Sequence, residues 1–217
     1  MSELYMLERP DFYDEQSNSL NPLRRWFHRT RHSNVRHLVE KYASKQSIVA
    51  DIGCGNVVWN HDGQFKVVGI DINPEALQYN LERGRIVRGI VASVDSLTDL
   101  EDEAVDLVVC SEVIEHVPNF WSVIEEAYRI LKPGGYFIAT VPHDTTLSLW
   151  GPLFWLQCLY QGYIRQDEYY KQKCGHVNYF SPRTILMYLK ASRFQLVEQF
   201  NMKRFTIFTV VQKETND

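Results

Sequence analysis

The chain has 217 residues, 45% hydrophobic and 23% charged, which suits a folded protein with a buried core and sets aside a disordered or fibrous one. With 27 acidic and 23 basic residues the net charge is −4, so the protein as a whole is not a binder of polyanions. The four cysteines, Cys54, Cys110, Cys158 and Cys174, form no C-x-x-C pair or disulfide framework, and residues 1–16 are acidic and polar with no apolar signal segment; a reducing cytoplasm is the expected setting.

In chain order, residues 1–21 read as irregular. Pro22 opens a helical pattern in which Leu23, Trp26, Phe27, Val35, Leu38, Val39 and Tyr42 fall near one face. The other face carries Arg24, Arg25, His28, Arg29, Arg31, His32, Arg36 and His37. A solvated face is the first reading of this basic stripe, and an anionic substrate, lipid head group or RNA the others. Nucleic acid is disfavoured because the remainder of the chain is acidic.

From residue 47 short apolar runs alternate with helical stretches. Strands are predicted at 47–52, 66–70, 85–91, 105–110 and 135–141, each near-continuously apolar as in parallel strands covered on both faces. Asn73-Pro74 starts a helix over 74–84, and a helix over 119–131 stops at Lys132-Pro133-Gly134-Gly135. This order predicts an α/β fold with a doubly wound, mostly parallel sheet. A helix over 182–191 is followed by runs at 194–200 and 205–212, whose short connection makes them an antiparallel C-terminal hairpin. The expected organisation is one domain over 1–217, with an N-terminal helical extension (1–45), a core (46–142), a lid-like insert (143–180) and the C-terminal helix and strand pair (181–217).

Two motifs carry the chemistry. Val49-Ala50-Asp51-Ile52-Gly53-Cys54-Gly55 runs an apolar strand into an acid and G-x-G, glycines that let the chain turn and a ligand approach closely. Val67-Val68-Gly69-Ile70-Asp71 ends the next strand on a second acid, placed to accept the hydroxyls of a ribose. A dinucleotide fingerprint would need a glycine where Val58 stands and a helix to hold pyrophosphate; Asn56–Gln64 is a poor helix former, which disfavours a nicotinamide or flavin cofactor.

These segments, with DLVVCSEVIEHV and LKPGGYFIATVP downstream, resemble the class I S-adenosylmethionine-dependent methyltransferases, small-molecule type, including those of ubiquinone biosynthesis. The resemblance covers roughly residues 47–142 and implies a Rossmann-like, seven-stranded fold, with S-adenosylmethionine as cofactor and S-adenosylhomocysteine as product. It implies that Asp51, Gly53 and Gly55 line the methionyl end, that Asp71 binds the ribose and that Ile72 packs on adenine. It places Ser93 and Val94 at adenine and Ser111 and Glu112 at the methionyl and methyl region. Two departures stand out: Ser93 occupies the place of an acid, and the Asn56–Gln64 connection is short.

The sulfonium methyl is already activated, so transfer needs in-line placement of a nucleophile and, for a hydroxyl, a base within reach. His116 is the first candidate base, His143 the second and His176 the third. No metal is expected, because H-x-x-E-H would need a histidine where Glu112 stands. Cys110-Ser111-Glu112-Val113 replaces the N/D-P-P-Y/F loop of base-amino methyltransferases, so transfer to oxygen or carbon of a small acceptor is expected. The insert carries Trp150, Phe154, Trp155, Tyr160, Tyr163, Tyr169, Tyr170 and Tyr179 and has no charge from Thr145 to Ile164. An apolar or lipid-linked acceptor and peripheral membrane contact through 145–164 follow, with an aromatic helix on the sheet edge or a dimer interface as the alternatives. An inactive cofactor-binding partner subunit and an RNA methyltransferase are the competing functions; the oligomeric state stays open.

Overall fold

The computed structural model describes residues 9–97, 99–145, 148–166, 168–171 and 175–215, so Cys174 lies outside the described residues. A seven-stranded sheet runs in the order β3-β2-β1-β4-β5-β7-β6. Its strands are β1 (Ile48–Ile52), β2 (Lys66–Asp71), β3 (Arg88–Val91), β4 (Val105–Ser111), β5 (Leu131–Pro142), β6 (Gln195–Met202) and β7 (Thr206–Gln212). The first five pair in parallel, and β7 pairs antiparallel with both β5 and β6. The fold is therefore Rossmann-like, with a mostly parallel doubly wound sheet and an antiparallel C-terminal pair.

The helices are α1 (Phe12–Ser17), α2 (Pro22–Tyr42), α3 (Pro74–Glu82), α4 (Phe120–Ile130), α5 (Trp150–Cys158), α6 (Glu168–Lys171) and α7 (Pro182–Ala191). Their starts are chemically marked. Asn21 and Asn73 each accept two backbone N–H bonds ahead of a proline, and Ser181 forms a reciprocal capping box with Thr184. Val35, Leu38, Val39 and Leu77, from α2 and α3, fill the core on one face of the sheet. Ile124, Ile130, Ile185 and Leu189, from α4 and α7, fill it on the other.

Two local differences from the sequence-based expectations, and one feature on which the sequence was silent, have physical causes. The stretch read as irregular contains α1, which gains its hold from tertiary partners described below. The expected helix stop at Lys132–Gly135 belongs instead to β5: α4 ends at Ile130 and Leu131 already pairs with Val105, with a register shift that accommodates Gly134 at φ +77°. The order within the C-terminal pair is set by burial. β7 is buried almost throughout and enters the sheet beside β5, while the half-polar β6 takes the edge.

Candidate functional site

The carboxyl ends of β1, β2 and β4 surround a cavity of about 240 Å³, joined by a smaller one of about 50 Å³. The G-x-G loop leaves β1 and is tied back to β2, with Gly53 and Cys54 both donating their N–H groups to the Ile70 carbonyl at 2.8 and 3.0 Å. Gly53 sits at φ +66°, and a Cβ there would meet Val113 Cγ2 at 2.6 Å, so both conformation and space demand glycine. Gly55, at φ +46°, has the Tyr13 ring over it.

Asp71 ends β2 with its carboxylate in fixed orientation. Oδ2 accepts from Gly55 N and Oδ1 from Asn73 N, both at 2.9 Å, leaving each oxygen a lone pair for a ligand hydroxyl. Burial raises its pKa, against the pull of these backbone bonds. Asp51 is deeper: Trp59 Nε1 donates to its Oδ2 at 2.6 Å, and burial, with a contribution from Asp71, pushes it to about 8.

Gly53, Gly55, Asp71, Ile72, Ser93, Val94 and Glu112 all lie on the wall of the larger cavity. Asp51 and Ser111 lie on the smaller one, which shares Gly53 and Glu112 with it. The cavity pair thus collects all nine residues that the family resemblance points to. His116 is on the larger wall as well. His143 is on neither; its ring contacts Thr145 Oγ1 at 3.1 Å and its backbone bonds to Phe205.

Several site residues were not singled out by the motifs. Asp95 shares the cavity wall with Ser93 and Val94, and the Ser93 hydroxyl donates to it, so an acid stands two residues beyond the position where the family resemblance leads one to expect it. Arg31 from α2 is buried, 3.7 Å from Glu112, with Tyr13 and Phe27 against its guanidinium. Its Nε has no partner among the described residues, although it borders the smaller cavity beside Asp51. The basic stripe is therefore no simple solvated face: Arg31 and the His28 and His32 rings turn inward. Periodicity alone does not distinguish them, because α2 is also covered by α1.

A second cluster borders the larger cavity. The 3-10 turn Ile114–His116 follows β4, and Glu115 on it is buried, its two carboxylate oxygens without a hydrogen-bond partner among the described residues. Burial, then the neighbouring Glu112 charge, holds Glu115 well above the ordinary carboxylate range. His116 Nε2 lies 3.7 Å from Glu115 Oε1, and burial lowers His116 to about 4, a hydrogen bond to the Gly175 backbone opposing it. His176 packs edge-on at 4.7 Å, and Glu115, His116 and His176 each offer a ligand atom within 4.8 Å of the others. Sequence spacing does not bring these three side chains together, because His176 lies 60 residues beyond His116.

This geometry has known counterparts. Residues 50–139 match the family model described as a methyltransferase domain. Ubiquinone biosynthesis O-methyltransferase of Pseudomonas putida (strain F1) is 30% identical over 168 residues, 70% of this chain and 68% of that protein. The protein of that name from Photorhabdus laumondii is 34% identical over 101 residues, 43% of this chain and 42% of its own. Among solved structures, a Thermotoga maritima S-adenosylmethionine-dependent methyltransferase, described as a possible histamine N-methyltransferase, superposes with TM-score 0.67 at 19% identity, covering 94% of this chain and all of its own. Burkholderia thailandensis 1,6-didemethyltoxoflavin-N1-methyltransferase, solved with its substrate and S-adenosylhomocysteine, gives 0.63 at 14% identity, covering 98% of this chain and 89% of its own.

The fold and cavity define an S-adenosylmethionine-dependent methyltransferase. The chain belongs to the methyltransferase family that includes the ubiquinone biosynthesis O-methyltransferases. The residues present fit the cofactor: a fixed carboxylate for a diol, glycines without a Cβ at the turn, and an orphaned buried guanidinium nitrogen for a carboxylate.

Proposed function

We propose that this methyltransferase transfers the methyl group to a hydroxyl oxygen of an apolar, ring-bearing acceptor, with His116 as the base. The observation that carries this reading is the position of His116: it stands on the cavity wall with Glu112, on the turn that follows β4, and burial keeps its ring unprotonated at pH 7. The names of the matched relatives, O-methyltransferases of ubiquinone biosynthesis, support oxygen and a prenylated phenol as the acceptor class.

In this reading Asp71 would hold the ribose hydroxyls, Ile72 and Val94 would offer apolar surface to the adenine, and Ser93 with Asp95 would offer it polar partners. Arg31 pairs with the methionine carboxylate, while Asp51 and the Gly53–Gly55 backbone line the methionyl chain with Ser111. Bound S-adenosylmethionine supplies a methyl group on a positively charged sulfur. His116 takes the proton of the acceptor hydroxyl as its oxygen takes the methyl, and Glu112 holds the acceptor side of the cavity. Holding the two reactants in line is the larger contribution, about 7–11 kcal/mol where geometry is ideal.

The insert acts as the lid of this site and as its contact with a lipid surface. Leu153, Trp155, Leu156, Leu159, Tyr163 and Ile164 are exposed, Leu156 by 66% and Ile164 by 70%, and no charged residue interrupts them. No helix of the described residues is long and apolar enough to cross a membrane. An interfacial helix suits both facts and brings the cavity to a lipid-linked acceptor.

Turnover of a prenylated catechol, followed by mass spectrometry, tests the reaction: His116→Ala is expected to lower kcat by about 100-fold or more. Unchanged kcat would remove the base, and methylation at carbon would remove the oxygen assignment. For the lid, Trp155→Ser with Leu156→Ser is expected to abolish co-sedimentation with phosphatidylglycerol vesicles; equal binding by the variant would sink that assignment.

A further inference from the structure

Residues 175–178, where the chain returns from the lid, meet the turn that carries Glu115 and His116 through an unusually dense set of contacts. Val177 N and Asn178 N both donate to the Glu115 carbonyl, at 2.9 and 3.0 Å. The Asn178 side chain spends both of its amide hydrogens on the same turn, reaching the Ile114 carbonyl at 3.1 Å and the Val117 carbonyl at 2.7 Å. The His116 ring bonds to the Gly175 backbone, and the His176 ring lies edge-on against it at 4.7 Å. His176 in turn stacks on Phe154 of α5, with centroids 5.0 Å apart and planes 17° from parallel.

The turn needs this support. It is a single 3-10 turn, and its closing bond, Val117 N to the Ile114 carbonyl, is long at 3.4 Å. Glu112 before it is held by its N–H bond to the Thr140 carbonyl at 3.0 Å, and His116 N donates to the Val113 carbonyl at 2.9 Å, which leaves the far end of the turn the weaker one. Two acceptors facing one carboxamide can only be satisfied by its NH₂ end, which also fixes the orientation of the amide.

We propose that Asn178 is a positioning residue for methyl transfer, clamping the His116 turn to the 175–178 arm so that the imidazole is held in a fixed orientation at the cavity wall. The proposal rests on the reading of His116 as base. Asn178 touches neither cavity; it acts through the carbonyls of Ile114, Glu115 and Val117. A proton acceptor out of line by a fraction of an ångström loses rate without losing cofactor affinity.

The test uses the full chain and three variants, Asn178→Ala, Asn178→Asp and Asn178→Gln. Four readouts are taken: calorimetric titration with S-adenosylhomocysteine, kcat on a prenylated catechol, the melting temperature, and the titration of the His116 ring followed by NMR. Asn178→Ala removes both donors, and Asn178→Asp sets a carboxylate against two carbonyl oxygens. Both are expected to lower kcat by about tenfold or more while the affinity for S-adenosylhomocysteine stays within about twofold. Asn178→Gln, which keeps the carboxamide, recovers part of the loss.

As the arm loosens and water reaches the ring, the His116 pKa is expected to rise from about 4 toward its ordinary value. Wild-type kcat together with an unmoved His116 titration in Asn178→Ala overturns the proposal. So does a parallel collapse of kcat, cofactor affinity and melting temperature in all three variants, which would make Asn178 a fold-stabilising residue only. Full turnover by His116→Ala would refute the base itself; the clamp is then decided by the NMR titration, which needs no acceptor.

Discussion

Arg31 shows how one buried side chain redefines a helix face. A guanidinium with an orphaned Nε, 3.7 Å from Glu112 and wedged between two aromatic rings, is expensive to keep without an anionic ligand. Arg31→Ala is expected to weaken S-adenosylmethionine binding by about 10- to 100-fold, the worth of a charge-assisted hydrogen bond, and Arg31→Lys by less. Calorimetry checks both, and unchanged affinity would remove Arg31 from the site. Asp51 carries a different consequence. Burial, then its neighbour Asp71, puts it near 8 despite the Trp59 bond, so at pH 7 it is mostly protonated before the cationic ligand arrives. Binding of a sulfonium and ammonium favours the ionised form and should release a proton. The binding enthalpy of wild type is therefore expected to depend on the ionisation enthalpy of the buffer, and that of Asp51→Asn much less. A buffer-independent wild-type enthalpy would mean that Asp51 is already ionised.

At the scale of elements, the N-terminal segment is held over the cavity by polar contacts instead of a core. Tyr13 borders both cavities, and its N–H donates to Asn56 Oδ1 at 3.2 Å. The Asn56 amide also donates to the Pro10 carbonyl. Asp14 completes the attachment with a two-point ion pair to Arg85, at 2.8 and 2.9 Å, and a bond from the Tyr79 hydroxyl at 2.8 Å. A six-residue helix that buries only Ser17 has little else to hold it. Asp14→Asn is expected to speed release of S-adenosylhomocysteine in stopped-flow experiments, by about tenfold or less because water partly screens the pair. Unaltered release would show that the segment does not gate the cavity. α2, α4 and α7, by contrast, are anchored through their apolar faces and belong to the rigid frame.

For the molecule as a whole, buried titratable groups make stability depend on pH in opposing senses. Burial lowers His28 to about 2, His176 to about 3 and His116 to about 4, while an unfolded histidine takes up a proton near 6.5. The unfolded state therefore binds more protons below about 6.5, and stability falls as pH falls through that window. Asp51, raised to about 8, and Asp144, raised to about 7, act the other way, since the folded state holds their protons and loses that advantage as pH rises. A single substitution isolates one contribution. The melting temperature of His28→Asn, measured against wild type, is expected to rise progressively between pH 7 and pH 5; a constant difference would mean that His28 titrates normally in the folded state.

Much of this architecture was legible in the chain itself. Alternation of apolar runs with capped helices, marked by Asn21-Pro22, Asn73-Pro74 and Ser181-Pro182, determined the layered α/β fold, because local propensity and burial pattern agree along those segments. The same local chemistry placed Asp51, Gly53, Gly55 and Asp71 at strand ends, where an open sheet binds ligands. What tertiary structure alone decided involves partners far apart in sequence. These are α1 docked on Arg85, Arg31 turned into the site, β7 between β5 and β6, and the return arm gripping the His116 turn. Those contacts join polar groups whose spacing follows no helical or strand period, so only the packed chain brings their charges and carbonyls together.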